Sequence, residues 1–267
     1  MVIGYSFLMA RGKAMKSSKI LTQRQSDLSI VIPALHEEKR IGKTLDELAR
    51  FLKNDSFFKS KTVEVLVVAA NTTDQTHQII KEKQPLFKDL TLLKPGRIVG
   101  KGRDVKYGVE CANGSIIVFM DADLATPLGN LETFYNECRP GVDIVIGTRD
   151  LLTYRSNKLR SLYSSFGNFM YRLAGGIKVE DTQCGFKMFT APAAKICFSK
   201  LTILGWGFDL EILAIAQANK LKIKAIRIDD YKHMPYSTHT DGVFRIAIRS
   251  ISDLIRITIK RLSRTYI

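Results

Sequence analysis

Asp121 and Asp123 end the apolar run IVFMDADLATP (residues 117–127) one residue apart. On a strand, residues i and i+2 point the same way, and in the looser turn at a strand end both carboxylates still face one ligand. Two adjacent hard oxygen donors suit Mg2+ or Mn2+, ions that keep several waters and are shared with substrate phosphates. A two-residue motif is weak alone, and the other reading is a loop-capping Asp121 beside a solvated Asp123. Neighbouring residues favour the first. Lys101 stands between glycines in GKG, where the backbone can approach an anion closely, or else form an ordinary turn. Arg149 ends another apolar run, and residues 151–179 hold Arg155, Lys158, Arg160, Arg172 and Lys178 without an acid. Guanidinium groups bind phosphate through paired hydrogen bonds, so Arg149 with Arg155 or Arg160 is a candidate phosphate site. Lys187 in GFK is a further candidate, and a solvated basic helix face is the alternative for each of these.

Short β-rich runs alternating with amphipathic stretches must position these groups, which is the pattern of an α/β sheet with helices on its faces. Strands are expected at 28–33, 63–69, 91–94, 115–120, 143–149, 185–189 and 224–228. Helices are expected from Ile41 to Leu52, around Ile79 and Ile80 behind a cap at Thr72, Thr73 or Asp74, and at 103–112, 159–174 and 208–219. In open α/β sheets ligands sit beyond the carboxyl ends of the strands. Residues 33–37, 70–74, 121–123 and Arg149 should therefore converge on one crevice.

With 267 residues, 45% of them hydrophobic, the chain suffices for one large domain. A basic tail over 1–26, a catalytic domain over 27–232 and a C-terminal segment over 233–267 are expected. Lys and Arg number 41 against 26 acids, and the net charge of +15 implies an anionic partner. No helix-turn-helix, zinc-finger or RNA-recognition signature points to nucleic acid. Four scattered cysteines without a CxxC pair fit a reducing compartment. No stretch approaches the roughly 18 apolar residues needed to span a bilayer, and the N-terminal apolar segment lacks the basic region of a signal peptide.

The segments IVIPALHEEKRI, VEVLVVAANTTDQT, GKGRDVKYGVECANGSIIVFMDADLATP, IVIGTR, DTQCGFKMF and WGFDLEIL follow in this order across 29–228. Together they resemble the family 2 glycosyltransferases, in particular the polyprenyl-phosphate branch typified by dolichyl-phosphate glucosyltransferase and dolichyl-phosphate mannose synthase. The resemblance implies a GT-A, Rossmann-like domain with a mixed, mainly parallel sheet. It implies inverting transfer of a hexose, glucose favoured, from a nucleotide sugar to polyprenyl (dolichyl) phosphate on the cytoplasmic membrane face. UDP-glucose is the favoured donor and GDP-mannose the alternative. Carried over by residue, Asp123 is the metal ligand, with Asp121 near the ribose or the metal. Glu37 and the backbone at Pro33 and Ala34 frame the nucleotide, and Lys101 approaches the donor. Asp209 stands where relatives place a catalytic aspartate, with Glu211 two further on. Asp181 is an alternative candidate or a structural partner for a nearby Arg, and the phosphate on Arg149, Arg155, Arg160 or Lys187 would be that of the acceptor. A phosphate acceptor is already largely ionised at neutral pH, so Asp209 serves either as a base or as a positioning group.

Two departures bear on the donor. The family pattern has Asn where this chain has His36, and two aspartates where it has Ala69 and Ala70, one of them commonly contacting the base. Asn71 is a substitute through its side-chain carbonyl, while Asp74 and Thr76 keep the rest of the motif. Two alternatives follow: a non-lipid acceptor, which makes Asp209 indispensable, or a degenerate paralogue that binds membranes without catalysis.

The last 25 residues carry six basic residues and one acid, and the first 25 carry five basic residues and none. Phe244, Ile248, Ile251, Ile255, Ile259, Leu262 and Tyr266 follow helical spacing, with Arg245, Arg249, Arg256, Lys260 and Arg264 along another side. Such a basic amphipathic helix either lies on an anionic membrane surface or packs its apolar side on the catalytic domain. With no spanning helix, the chain is expected to reach a lipid acceptor peripherally or through a membrane-protein partner.

Overall fold

The structure is a computed structural model that describes residues 26–70, 72–96, 100–149, 181, 184–232 and 243–267, without side chains for 243–248. Continuous apolar runs become strands buried on both faces, as expected where helices cover a sheet on each side. The strands are β1 Leu28–Pro33, β2 Val63–Val68, β3 Leu90–Leu93, β4 Ile116–Met120, β5 Ile144–Arg149, β6 Phe186–Thr190 and β7 Ile223–Ile228. They form one seven-stranded sheet in the order β3-β2-β1-β4-β6-β5-β7. β1 is parallel to both β2 and β4, whereas β6 runs antiparallel to β4 and β5, and β7 is parallel to β5.

Alternate residues of each strand feed two cores. On one face Ile30, Ile32, Val65 and Val67 meet Ile41, Leu45 and Leu48 of α1 (Ile41–Asn54). On the other, Val31, Val68 and Phe119 meet Val105 and Val109 of α3 (Lys101–Cys111), and residues of α6 (Phe208–Ala218). The remaining described helices are α2 Thr76–Lys83, α4 Asn130–Glu137, α5 Ala191–Lys200 and α7 Val243–Leu262. The expected strands and helices all form where they fall on described residues; 159–174 and Asn71, Arg155 and Arg160 lie outside them. α4 and α5 were not anticipated. α4 has only Leu131 and Phe134 as buried periodic residues, and α5 buries small Ala193 and Ala194 behind Pro192.

Helix α3 begins at Lys101, two residues earlier than its apolar periodicity suggested. Its start is fixed by close packing: a Cβ on Gly100 would collide with the Leu204 carbonyl, and one on Gly102 with Phe208. This puts Lys101 on the first turn of a helix rather than in a loop.

The face of α7 that docks is not the apolar side that the sequence displays, of which Tyr266, past the end of the helix, is the one described member to be buried. Ile257 and Tyr266 are buried, the Tyr266 hydroxyl donates to Glu211 Oε1 at 3.0 Å, and Lys260 Nζ lies 3.2 Å from the same oxygen. Lys200 and Asn219 both donate to the Tyr266 carbonyl at 2.7 Å. Ile251, Ile255, Ile259 and Leu262 stay 53–78% exposed as a ridge opposite that docked face. No helix among the described residues is long and apolar enough to cross a membrane.

Candidate active site

The carboxyl ends of the parallel strands and the start of antiparallel β6 share one edge of the sheet. β4 ends at Met120, which pairs with Phe186 of β6, so Asp121 and Gly185 face each other across that edge. A Cβ on Gly185 would overlap the Asp121 carboxylate. A glycine immediately before strand FKMFT is the trace that this close approach leaves in the sequence. Asp121, Gly185 and Tyr231 line a common cleft.

Four charges alternate through the crevice. Lys187 Nζ is 2.6 Å from Asp209 Oδ1, Asp209 interacts electrostatically with Lys101, and Lys101 Nζ is 2.6 Å from Asp121 Oδ1. The Trp206 ring lies 5.1 Å from the Lys101 ammonium. Burial alone would lower the Lys101 pKa, but Asp121 and Asp209 outweigh it, so the ammonium is held more firmly than usual. Burial raises the pKa of Asp209 against the pull of Lys187 and Lys101.

Asp123 accepts the Ala125 N–H at 3.0 Å, and its pKa is raised by burial, with the Asp121 charge adding to the effect. Glu37 is gripped by Arg40 through hydrogen bonds of 2.6 and 2.8 Å, yet burial still raises its pKa, and both aspartates push it in the same direction. The structure thus brings Glu37, Lys101, Asp121, Asp123 and Asp209 together. Among the described residues no cluster of three or more His, Cys, Asp and Glu forms a protein cage for a metal. Two hard, partly desolvated carboxylates fit Mg2+ or Mn2+, which take their remaining ligands from water and phosphate.

Other expected residues have different duties. Lys187 was expected at an acceptor phosphate, but its side chain is 0% exposed and donates to Asp209 and the Cys184 carbonyl, both at 2.6 Å. Across β4 it pairs with Phe119, whose ring lies 5.4 Å from the ammonium. A lysine centred in the apolar strand FKMF signals a buried partner, because an unpaired buried charge is too costly. Arg149 grips Asp181 with Nε and Nη2 at 2.7 and 3.0 Å, while its backbone N–H donates to the same carboxylate at 3.0 Å. Burial would lift the Asp181 pKa, but the guanidinium holds it below the ordinary carboxylate range. Tyr231 stacks near Arg149, at 5.6 Å.

The Asp74 carboxylate is committed to its own loop. It accepts the Thr72 hydroxyl and the backbone N–H groups of Thr76 and Glu38, and although burial opposes it, these bonds bring its pKa to about 2. Pro33 closes β1, and the Ala34 N–H donates to the Val68 carbonyl at 2.8 Å, so that donor serves the sheet. Ala69 and Ala70 are buried, with 0 and 1% exposure, at the end of β2.

The family model described as Glycosyl transferase family 2 matches residues 29–196. The chain belongs to this family. The transferase is 34% identical over 242 residues to the dolichyl-phosphate beta-glucosyltransferase of Homo sapiens, covering 84% of this chain and 73% of that one. It is 32% identical over 255 residues to the dolichyl-phosphate beta-glucosyltransferase of Dictyostelium discoideum, covering 88% and 75%. Among solved structures it resembles glucosyl-3-phosphoglycerate synthase from Mycobacterium tuberculosis in complex with Mn2+, UDP and glucosyl-3-phosphoglycerate. That match has a TM-score of 0.58 at 19% identity and covers 90% of this chain and 80% of that one. A mannosyltransferase from Pyrobaculum calidifontis in complex with GDP-Man and Mn2+ matches with a TM-score of 0.57 at 18% identity, covering 88% and 65%. The fold of the transferase is therefore GT-A. Asp209, Glu211 and α7 lie beyond the stretch that the family model matches.

Proposed function

We propose that this transferase moves a hexose, glucose before mannose, from a nucleotide sugar to dolichyl or another polyprenyl phosphate. The relatives named for dolichyl phosphate support the acceptor, and structural neighbours holding UDP or GDP-Man with Mn2+ support the donor class. The observation that carries the reading is the ion pair between Asp209 and the fully buried Lys187. An aspartate fixed in this way is suited to orienting groups rather than to removing a hydroxyl proton. A phosphate monoester, with its second pKa near 6, needs no such removal at neutral pH.

Asp121 and Asp123 would hold Mg2+ or Mn2+. When bound, the cation neutralises charge on the departing nucleoside diphosphate. Lys101 supplies a second positive charge beside that group, kept protonated by Asp121 and Asp209. Asp209, anchored by Lys187, holds Lys101 from the other side and so positions that ammonium between donor and acceptor for an in-line, inverting displacement. The Trp206 ring, 53% exposed beside the Lys101 ammonium, offers an apolar surface for the acceptor.

Peripheral attachment to the cytoplasmic face of a membrane fits the exposed ridge of α7, beside which Arg249, Arg256, Arg261 and Arg264 are also exposed. Transfer of radiolabelled sugar into the organic phase tests the reading, using purified protein, a panel of nucleotide sugars, Mg2+ or Mn2+ and polyprenyl phosphate in detergent. Signal from one donor, abolished by EDTA and by Asp123→Ala, is expected. Folded protein inactive with every donor and both metals would refute it.

A further inference from the structure

Among the described residues, only two buried side-chain polar atoms lack a hydrogen-bond partner, Arg103 Nη1 and Asp104 Oδ1, and they are neighbours at 3.5 Å. A settled guanidinium–carboxylate pair closes to about 2.7–2.9 Å. Arg40–Glu37 and Arg149–Asp181 do so in this molecule, at 2.6 and 2.7 Å. The Arg103–Asp104 pair therefore leaves one donor and one acceptor unused, with the Asp104 side chain only 2% exposed. Leaving such groups unsatisfied is costly and requires a reason.

Their position supplies one. Gly108 of α3 packs against Val31 and Val68. Asp104 is one helical turn earlier on the same face, about 6 Å nearer the carboxyl edge of the sheet. At the rise of a strand, that step leads from Val31 and Val68 to Pro33 and Ala70. Lys101, a turn earlier again, reaches Asp121. Arg103 extends the other way, donating through Nη2 to the Pro95 carbonyl just past β3 and lying 5.9 Å from the Tyr107 ring. The unsatisfied pair thus stands at the ends of β1, β2 and β3, on the side of the crevice away from the Asp209 pair. There β2 ends in two buried alanines that offer no side-chain hydrogen bond.

We propose that Arg103 and Asp104 read the base of the nucleotide donor, Asp104 accepting a ring N–H and Arg103 donating to the carbonyl beside it. An N–H flanked by a carbonyl is the edge of uracil and of guanine; cytosine and adenine present a bare ring nitrogen beside an amine. Both protein atoms are shielded from solvent, so the base enters as the Arg103 side chain, 15% exposed, turns aside. The proposal rests on the nucleotide-sugar reading and assigns base selection to α3 rather than to the end of β2. Burial lifts the Asp104 pKa to about 6 despite Arg103, which fits a carboxylate awaiting a donor.

Calorimetric titration of the full chain with UDP, GDP, CDP and ADP in Mg2+ tests it. UDP or GDP is expected to bind about tenfold or more tightly than CDP and ADP, the effect of hydrogen bonds matched or left unpaired. Asp104→Ala and Arg103→Ala should shrink that ratio to about twofold. Asp104→Asn, whose amide offers both a donor and an acceptor, should narrow it by admitting CDP. Base preference unchanged in all three folded variants overturns the proposal and leaves the transferase reading intact. Failure of the unaltered protein to bind any of the four nucleotides overturns both.

Discussion

The two sides of the crevice treat buried charge differently. On the side proposed for the donor, formed by β1 to β4 and α3, the carboxyls of Glu37, Asp104 and Asp123 have pKa values raised by burial, with Asp74, bound within its own loop, as the exception. On the side proposed for the acceptor, formed by β5, β6 and α6, Asp181 and Glu211 are held below the ordinary range by partners that overcome their burial. Asp209 lies at the seam, buried and raised, yet ion-paired with Lys187 and within the field of Lys101. A raised carboxyl is one that the folded protein leaves short of positive charge or donors, and a cationic or hydrogen-bonding ligand would supply them. A lowered one is already satisfied and serves as framework. The difference teaches that the donor side is built to be completed by what binds, while the acceptor side is braced from within.

The largest effect should come from Asp123→Ala. If it holds the cation that stabilises the leaving group, several kcal/mol of transition-state stabilisation are lost, about 10^3-fold or more in kcat. Thermal stability should hold or rise, because a desolvated carboxylate has been removed. Activity within tenfold of the unaltered protein would break the comparison at its centre.

Lys187→Met should show the opposite pattern. It strands Asp209 without its buried partner, and removing one member of a buried pair costs about 3–5 kcal/mol. Urea unfolding reads this directly. Lys187→Met with Asp209→Leu should recover much of the loss in stability and none of the activity. A Lys187→Met protein of full stability would show that Asp209 is not braced as described.

The donor side was largely legible in the sequence and the acceptor side was not, for the same physical reason. Parallel strands buried on both faces read as apolar runs, and the residues after them, Glu37 and Asp121 to Asp123, fall at the site by the geometry of the sheet. Antiparallel β6 is brought between β4 and β5 by pairing that leaves no local trace. Lys187 consequently looked like a phosphate ligand when its side chain enters the core. Arg149 was placed correctly at a strand end and Asp181 was open to a structural pairing with an Arg, but 32 residues separate them and only the fold names which Arg it is. In α7 the periodicity located a real apolar ridge and also Tyr266, whereas the docked face is set by Lys260 and Tyr266 meeting Glu211 beside buried Ile257, a match of shape and charge that periodicity does not encode.

Asp104→Asn sharpens the comparison through pH. The Asp104 pKa is raised from 3.8 to about 6 in the folded state, so between those values the folded protein binds more protons than the unfolded chain. Stability then falls as pH rises through that window. Two pKa units correspond to a cost on the order of 3 kcal/mol above pH 6. Replacing the carboxylate by an amide should flatten this slope and raise stability at pH 7.5 while weakening base selection, the trade expected of a residue kept for binding. An unchanged pH slope would place Asp104 among the satisfied groups.

The smallest effect on stability belongs to Ile255→Asp with Ile259→Asp on the exposed ridge of α7. Both side chains are more than half exposed, so their removal should change unfolding free energy by no more than about 0.5 kcal/mol per site. An amphipathic helix bound to a membrane derives its affinity from apolar area entering the headgroup boundary together with cations near anionic lipid. The same variant should therefore fail to float with vesicles containing phosphatidylserine, and should transfer sugar to polyprenyl phosphate normally in detergent but poorly in those vesicles. Retained flotation would move membrane attachment off the ridge. Lost flotation together with lost activity in detergent would mean that the ridge supports the site through Glu211 rather than through lipid.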